Sequence, residues 1–207
     1  MTPDIIWTMI ELGPATEHEM ILAFLKAEVD ASRYRDIVQQ CLEKLRFTRQ
    51  ELIDEPSLSD QRQNQARLWI LQTFRGYRLN QYLFTGFPLD AIWRRVALEP
   101  HELNRLRYAN EQNWLAFSDN TRKPSQTLVN LSKGKVPQAD SDRILAIQSV
   151  LSQGKRFPEL IAAEGQNEDL ILIEGHSRAT AYLASRIDEP TPLFLASSPT
   201  MHIWAFY

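Results

Sequence analysis

The side chains most able to do chemistry in this chain follow one apolar run. After residues 170–173 come Glu174, Gly175, His176, Ser177 and Arg178. The apolar run predicts a buried strand, Gly175 permits a sharp turn, and the residues after it predict a helix. A strand that turns into a helix directs backbone N–H groups and the positive end of the helix dipole at one point. The guanidinium of Arg178 matches two phosphate oxygens, so this segment predicts a phosphate-binding turn.

The residues of this turn have different expected roles. Gly175, His176, Ser177 and Arg178 are the expected anion-binding residues. Glu174 would repel phosphate unless it held a metal ion or accepted a proton, so it is a candidate for Mg²⁺ coordination and for catalysis. His176 is the second catalytic candidate, because an imidazole can donate to a phosphate oxygen or move a proton.

Each of these residues also has a structural interpretation. Gly175 could serve the turn alone, and Ser177 could be a helix cap. Arg178 could pair with Glu174 while His176 packs at the turn. Structural roles predict that substitution lowers thermal stability, whereas catalytic roles predict that it lowers turnover in a folded protein.

The order of elements around the turn resembles the ParB/sulfiredoxin superfamily. The last third of the chain has an expected helix at 141–152, then Gly154, a strand at 157–162, the turn, and a closing strand at 191–195. Members of the superfamily carry a helix, a G-x-x-x-P strand, a G-x-x-R-x-x-A turn into a helix, and a closing strand that begins with proline. The resemblance implies a small mixed sheet with helices. It also implies that the chain binds a nucleoside triphosphate or diphosphate, or another phosphorylated small molecule, with Mg²⁺ as a second cofactor.

The chain departs from the two groups that give the superfamily its name. Chromosome-partitioning ParB proteins, which bind cytidine triphosphate, have the sequence GERRxRA here, and this chain has His176 and Ser177 in place of the Glu and the first Arg. Sulfiredoxins have a reactive cysteine at the position of His176, and the single cysteine here, Cys41, lies far away in sequence. The turn is more similar to ParB-like proteins outside chromosome partitioning. One such group, the free serine kinases, transfers a phosphoryl group to a small molecule.

A polar loop at residues 121–124 is a second candidate for phosphate contact. It contains the adjacent cations Arg122 and Lys123, which together could meet phosphates. The resemblance implies that polar residues before the main helix reach the nucleotide, and this loop has the corresponding place. The alternative is an exposed connector whose charges are only solvated.

Composition bounds the class of protein. The chain has 207 residues, a hydrophobic fraction of 43% and a net charge of −3. The acidic balance does not favour DNA as a partner, and one cysteine excludes a disulfide framework. There is no apolar run long enough for a membrane span and no secretory signal at the start, so a cytoplasmic location is expected.

Apolar patterning divides the chain near residue 110. Helical spacing and few β-branched runs predict a helical domain or cover over residues 1–110, including a capping box at Thr16 and Glu19 and a short helix from Asp90. Short apolar runs predict a ParB/sulfiredoxin-like α/β domain over residues 111–207. The expected fold class is therefore α+β, and the aromatic segment at 201–207 is expected as a last strand or a plug against the core.

Two functions stay open from the sequence. The first is an enzyme, either a Mg-dependent NTPase or a small-molecule kinase, because phosphoryl transfer depends mainly on positioning and charge neutralisation. The second is a regulatory or interaction module without catalysis, whose helical half contacts a protein partner, since a fold does not fix a function.

Overall fold

A six-stranded mixed sheet carries helices on both of its faces in a computed structural model, which describes residues 9–31, 33–185 and 188–207. The strands are β1 (Ile10–Pro14), β2 (Ile92–Leu98), β3 (Leu106–Tyr108), β4 (Leu160–Glu164), β5 (Leu170–Glu174) and β6 (Thr191–Ser197). The helices are α1 (Glu17–Glu28), α2 (Arg35–Leu45), α3 (Gln61–Arg75), α4 (Gln112–Phe117), α5 (Pro124–Ser132), α6 (Gln138–Ser152) and α7 (His176–Ser185). Within the described ranges, no helix is both long and apolar enough to cross a membrane.

The strands lie in the order β1-β2-β6-β4-β5-β3. The β1–β2, β2–β6 and β4–β5 pairs are antiparallel, and the β4–β6 and β3–β5 pairs are parallel. Strand β5, whose end begins the predicted phosphate-binding turn, is second from the edge of the sheet. Its neighbour β4 pairs along it as far as Glu174, whereas the short edge strand β3 pairs only with residues 170–172.

Side chains of the central strands alternate between two cores. Along β4, Ile161 and Ala163 pack with the side chains of α1, α2 and α3, whereas Leu160 and Ala162 pack with those of α4, α6 and α7. The same alternation continues in β5 and β6 because successive strand residues point to opposite faces. Since helices cover both faces, these strands are apolar at nearly every position, which is why the sequence reveals them.

The prediction of an almost wholly helical region before residue 110 is wrong at β1, β2 and β3. The segment from Asp90, expected as a helix, forms β2, which pairs with β6 from Ile92 opposite Ser197 to Leu98 opposite Thr191. Pairing and burial in the sheet override the local preference of this segment. The mixed α+β class is confirmed. The boundary near residue 110 stays a prediction, and the sheet contains strands from both sides of it.

Local capping signals place the ends of several helices. The capping box of α1 is confirmed, because Glu19 accepts hydrogen bonds from Thr16 N and Oγ1 at 2.7 and 2.8 Å, and Glu19 N donates to Thr16 Oγ1 at 3.2 Å. In α6, the helix begins at Gln138, three residues before the expected start, with Pro137 as its cap residue. Gly154, which has φ +77°, follows the end of α6 as expected.

The aromatic segment at the end of the chain is a plug, the second of the two alternatives. Trp204 is 2% exposed, and its Nε1 donates to the carbonyl oxygen of Leu83 at 2.7 Å. The Phe87 ring meets the Trp204 ring edge-on with centroids 5.5 Å apart. The approach is close at Gly86, where a Cβ would lie 2.4 Å from the carbonyl oxygen of Ile203.

Removing the plug should destabilise the fold. Trp204→Ala leaves a cavity and an unpaired carbonyl, so we expect the free energy of unfolding to fall by about 3–5 kcal/mol. The neighbouring Ile203 is 58% exposed, and Ile203→Ala should change that energy by less than about 0.5 kcal/mol. Urea denaturation of both variants provides the measurement, and equal effects would contradict the packing described.

Candidate functional site

The predicted turn forms one wall of a cleft of about 380 Å³. The opposite wall is the end of α1 and the connection after it, with Lys26, Ala27, Glu28, Asp30, Ala31 and Arg33. The remaining lining comes from Trp114, Arg143, Ile147, Phe157, Pro158 and the five residues Glu174, Gly175, His176, Ser177 and Arg178. This volume is in the range of small-molecule binding sites.

The backbone of the turn requires glycine. Strand β5 ends at Glu174, Gly175 has φ +102°, and α7 begins at His176. A Cβ at Gly175 would lie 2.4 Å from Cδ2 of Leu160, so both the φ angle and the space exclude a larger residue. The first helical bond joins Ala179 N to the carbonyl oxygen of Gly175 at 2.8 Å. The N–H groups of residues 176–178 therefore precede the helical hydrogen bonding and lie at the wall of the cleft.

The guanidinium of Arg178 bonds to the protein's own oxygen atoms. Its Nη1 donates to the carbonyl oxygen of Pro158 and, at 3.2 Å, to that of Glu159. Its Nη2 donates to Oε1 of Glu174 at 3.0 Å. Arg178 is 6% exposed. Arg178 therefore does pair with Glu174, as its structural interpretation predicts. A phosphate group would have to share the guanidinium with these acceptors.

The imidazole of His176 packs against two aromatic rings, Tyr108 and Trp114, which also contact each other with centroids 4.6 Å apart. The imidazole centroid lies 5.6 Å from that of Tyr108 and 5.1 Å from that of Trp114. Its Nε2 accepts a hydrogen bond from the backbone N–H of Ala109 at 3.3 Å. Burial lowers the pKa of His176 to about 4, although Glu174 opposes the shift. The ring is thus neutral near pH 7, with its proton on Nδ1 because Nε2 is an acceptor.

The carboxylate of Glu174 lies between guanidinium groups. Burial alone would raise the pKa of Glu174, but Arg178 and Arg75 outweigh the burial and lower it. Its charge is therefore balanced by cations of the protein, which leaves little reason for a metal ion to bind there. Among the residues that the structure describes, no group of three His, Cys, Asp or Glu side chains could hold a metal, and we propose no metal at Glu174.

The structure places Arg122 and Lys123 outside the cleft. Arg122 donates from Nε to the carbonyl oxygen of Tyr108 at 2.7 Å and from Nη1 to that of Tyr207 at 3.1 Å, so it ties the plug to β3. Lys123 is exposed and stands at the start of α5. Neither residue lines the cleft. The turn residues 174–178 come together as expected, but the loop cations do not join them.

Sequence reasoning missed the cations that α1 brings to the cleft. Lys26 and Arg33 are exposed, line the cleft, and form no ion pair with any carboxylate in the part of the chain that the structure describes. Arg143 lines the cleft as well and pairs with Asp140 at 2.5 Å. Single cations on a helix and a loop carry no spacing signal, so only the folded arrangement reveals them.

Sequence reasoning also missed Glu28. This carboxylate continues the apolar stripe of Met20 and Phe24 at helical spacing and is 3% exposed. Arg75 donates to Glu28 Oε1 and, at 2.7 Å, to the hydroxyl of Tyr34. Burial and then the negative charge of Glu174 raise the pKa of Glu28 to about 7, despite the nearby Arg75. A glutamate in phase with an apolar stripe is the sequence signal that could have identified it.

No protein-family model, curated protein or solved structure matches this chain. The resemblance to the ParB/sulfiredoxin superfamily therefore stays a prediction, based on the motif at residues 174–178 and the order of the elements around it.

Breaking the contact between Arg178 and Glu174 should destabilise the protein. Arg178→Met leaves Glu174 without its hydrogen-bonded partner, so we expect the free energy of unfolding to fall by about 3–5 kcal/mol. The double variant Arg178→Met/Glu174→Gln removes the unpaired charge and should recover part of this loss. Ser177→Ala, one residue away, should cost much less. Urea denaturation compares the three, and a loss in Arg178→Met no larger than in Ser177→Ala would show that the contact is unimportant.

Stability should depend on pH through Glu28. Since its folded-state pKa of about 7 lies above the ordinary value of 4.5, the folded protein holds a proton that the unfolded chain has released. The resulting stability is fully present below pH 4.5 and is lost as the pH rises through 7. Glu28→Gln is neutral at every pH and should avoid this loss. We expect the difference in unfolding free energy between Glu28→Gln and the unchanged protein to shift by roughly 2–3 kcal/mol in favour of the variant as the pH rises from about 5 to about 8. Urea titrations at both pH values measure the gain, and a constant difference would contradict the proposed pKa.

Proposed function

We propose that this chain binds a phosphorylated small molecule, a nucleoside diphosphate or triphosphate above all, in the cleft between α1 and α7. One observation carries the proposal: the N-terminus of α7 opens into the same cleft as two cations, Lys26 and Arg33, that have no carboxylate partner among the described residues. Backbone N–H groups at a helix start, together with the helix dipole, favour an anion.

Lys26 and Arg33 supply the charge that Arg178 cannot. Arg178 already balances Glu174, whereas the ammonium of Lys26 and the guanidinium of Arg33 are exposed at the opposite wall. An oxyanion at the start of α7 would therefore meet backbone donors on one side and, on the other, two cations that form no ion pair among the described residues. This arrangement agrees with the resemblance of the turn to phosphate-binding motifs of ParB-like proteins.

The apolar part of the cleft favours a ligand with a ring. Trp114, Ile147 and Phe157 line it beside the charged residues. Ligand sites commonly combine an apolar wall with a few polar groups that fix orientation, and a nucleotide base offers a flat face for such a wall. The contacts identify no particular base.

Binding without turnover is better supported than phosphoryl transfer. Both sequence-based catalytic candidates are held in structural contacts: His176 accepts from the backbone of Ala109, and Glu174 pairs with Arg178. A binding or regulatory module without catalysis is thus the favoured class. The enzyme alternative makes a direct prediction, which is the release of phosphate when the chain is incubated with a nucleoside triphosphate and Mg²⁺.

The double variant Lys26→Ala/Arg33→Ala should lose affinity. A charge-assisted hydrogen bond contributes about 1.5–3 kcal/mol, so we expect nucleotide affinity to fall at least about tenfold. The measurement is a thermal-shift screen with the four common nucleoside triphosphates, their diphosphates and inorganic pyrophosphate, followed by calorimetry for those that raise Tm. A ligand that binds the folded state stabilises it by RT ln(1 + [L]/Kd), so Tm rises with the logarithm of concentration and affinity.

The matched control is Lys133→Ala/Lys135→Ala. It removes the same total charge from two exposed lysines that lie outside the cleft. Equal weakening by both double variants would mean that only net charge matters. If none of these compounds raises Tm, the proposed function is wrong.

A further inference from the structure

We propose that Glu28 contacts the bound oxyanion and carries the proton that lets this anion bind beside Glu174. The inference rests on the proposed function and adds a ligand-contacting residue from α1, outside the strand–turn–helix motif. It also states which protonation state of the cleft binds the ligand, namely the one in which Glu28 is protonated.

A buried carboxylate, Glu28, and a partly buried one, Glu174, line the same cleft. Glu28 comes from the end of α1 and Glu174 from the end of β5, and both line the cavity. Each is bonded to its own guanidinium, Glu28 to Arg75 and Glu174 to Arg178. Glu28 has a side-chain exposure of 4% and Glu174 of 17%, so water screens their repulsion poorly.

An oxyanion in this cleft would add a third acceptor-only group. Oxygen atoms of a carboxylate and of a phosphate or sulfate repel each other unless a proton lies between them. Placing the proton on Glu28 converts an acceptor into an O–H donor directed at the ligand. The proton comes from solvent and stays on Glu28, and no bond of the ligand is broken.

Glu28 is the carboxylate better suited to hold this proton. Glu174 interacts with two guanidinium groups that lower its pKa, whereas burial and Glu174 itself raise the pKa of Glu28 to about 7. Protonating Glu28 near neutral pH therefore costs little free energy.

The charged and titratable neighbours of Glu28 come from several elements. They are Arg75 of α3, Tyr34 and Arg33 of the connection before α2, Glu174 and His176 at the turn, and Lys26 and Asp30 on its own side. The hydrogen bond from Arg49 lowers the pKa of Asp30, and burial lowers that of His176 to about 4. The pKa values of Asp30, His176 and Glu174 therefore move away from neutral pH, whereas the pKa of Glu28 moves toward it.

Inorganic sulfate is the probe, because it neither gains nor loses a proton near neutral pH. We expect calorimetry to show an affinity that falls about 30-fold between about pH 5.5 and pH 8.5, as Glu28 loses its proton. At the upper end, titrations in buffers of different ionisation enthalpy should show an uptake approaching one proton per sulfate bound.

Two variants assign this dependence to Glu28. Glu28→Gln should bind sulfate with an affinity that hardly changes with pH and is similar to that of the unchanged protein in acid. Asp30→Asn removes a carboxylate from the same cleft that is 69% exposed and paired with Arg49, and it should keep the pH dependence. Melting curves check that both variants are folded.

The outcomes separate this inference from the proposed function. A pH-independent affinity in the unchanged protein, or a slope that persists in Glu28→Gln, overturns the role of Glu28 and leaves nucleotide binding in place. Sulfate that fails to bind in acid while a nucleotide binds also overturns it, because the protonated cleft should accept a tetrahedral oxyanion. Absence of binding by sulfate and by every nucleotide refutes both proposals.

Discussion

The guanidinium of Arg178 donates to backbone oxygens of Pro158 and Glu159, ahead of β4, and to the carboxylate of Glu174 at the end of β5. It thereby joins two neighbouring strands at the point where the chain turns into α7. Gly175 leaves room for this contact, because a Cβ there would lie 3.2 Å from Nη2 of Arg178 and would also collide with Leu160. The direction of α7, and with it the direction of its first N–H groups, follows from these few atoms. The motif that resembles a phosphate-binding sequence therefore has a structural role in this fold, because its residues hold the start of α7 in place.

The kind of ligand that the cleft can bind then depends on the residues that line it together with the start of α7. The end of α1 supplies Lys26, Glu28 and, just beyond it, Arg33. Two of these are cations without an ion pair in the described part of the chain, and the third is a buried carboxylate whose pKa is raised to about 7. The helical N-terminal region is therefore part of the proposed site, because it completes the cleft and sets its charge. In the proposed mechanism, a carboxylate pair beside a helix N-terminus would make binding sensitive to a single proton, which neither wall of the cleft would show alone.

Sequence patterns predict the features that are encoded locally. The apolar run of β5, the glycine after it and the capping box at Thr16 each depend on adjacent residues, and all three are present. Strand β2 was missed because its identity depends on pairing with β6, almost a hundred residues later in the chain. The sequence predicts phosphate contact for Arg122 because it does not reveal whether an arginine is exposed or bonded within the protein. The partners of Arg122 lie in the C-terminal plug, far away in sequence. Glu28 was missed for the same reason, since its neighbours Arg75 and Glu174 become neighbours only in the folded chain.

The central claim is that an oxyanion binds at the start of α7, facing the end of α1. The most direct measurement is a titration of ¹⁵N-labelled protein with inorganic pyrophosphate, followed by NMR of the backbone amides. The account predicts that the largest and saturable shifts occur at the amides of His176, Ser177 and Arg178, with further shifts at Lys26 and Glu28 across the cleft. Saturable shifts centred on the loop of Arg122 and Lys123, with none at residues 176–178, would contradict it.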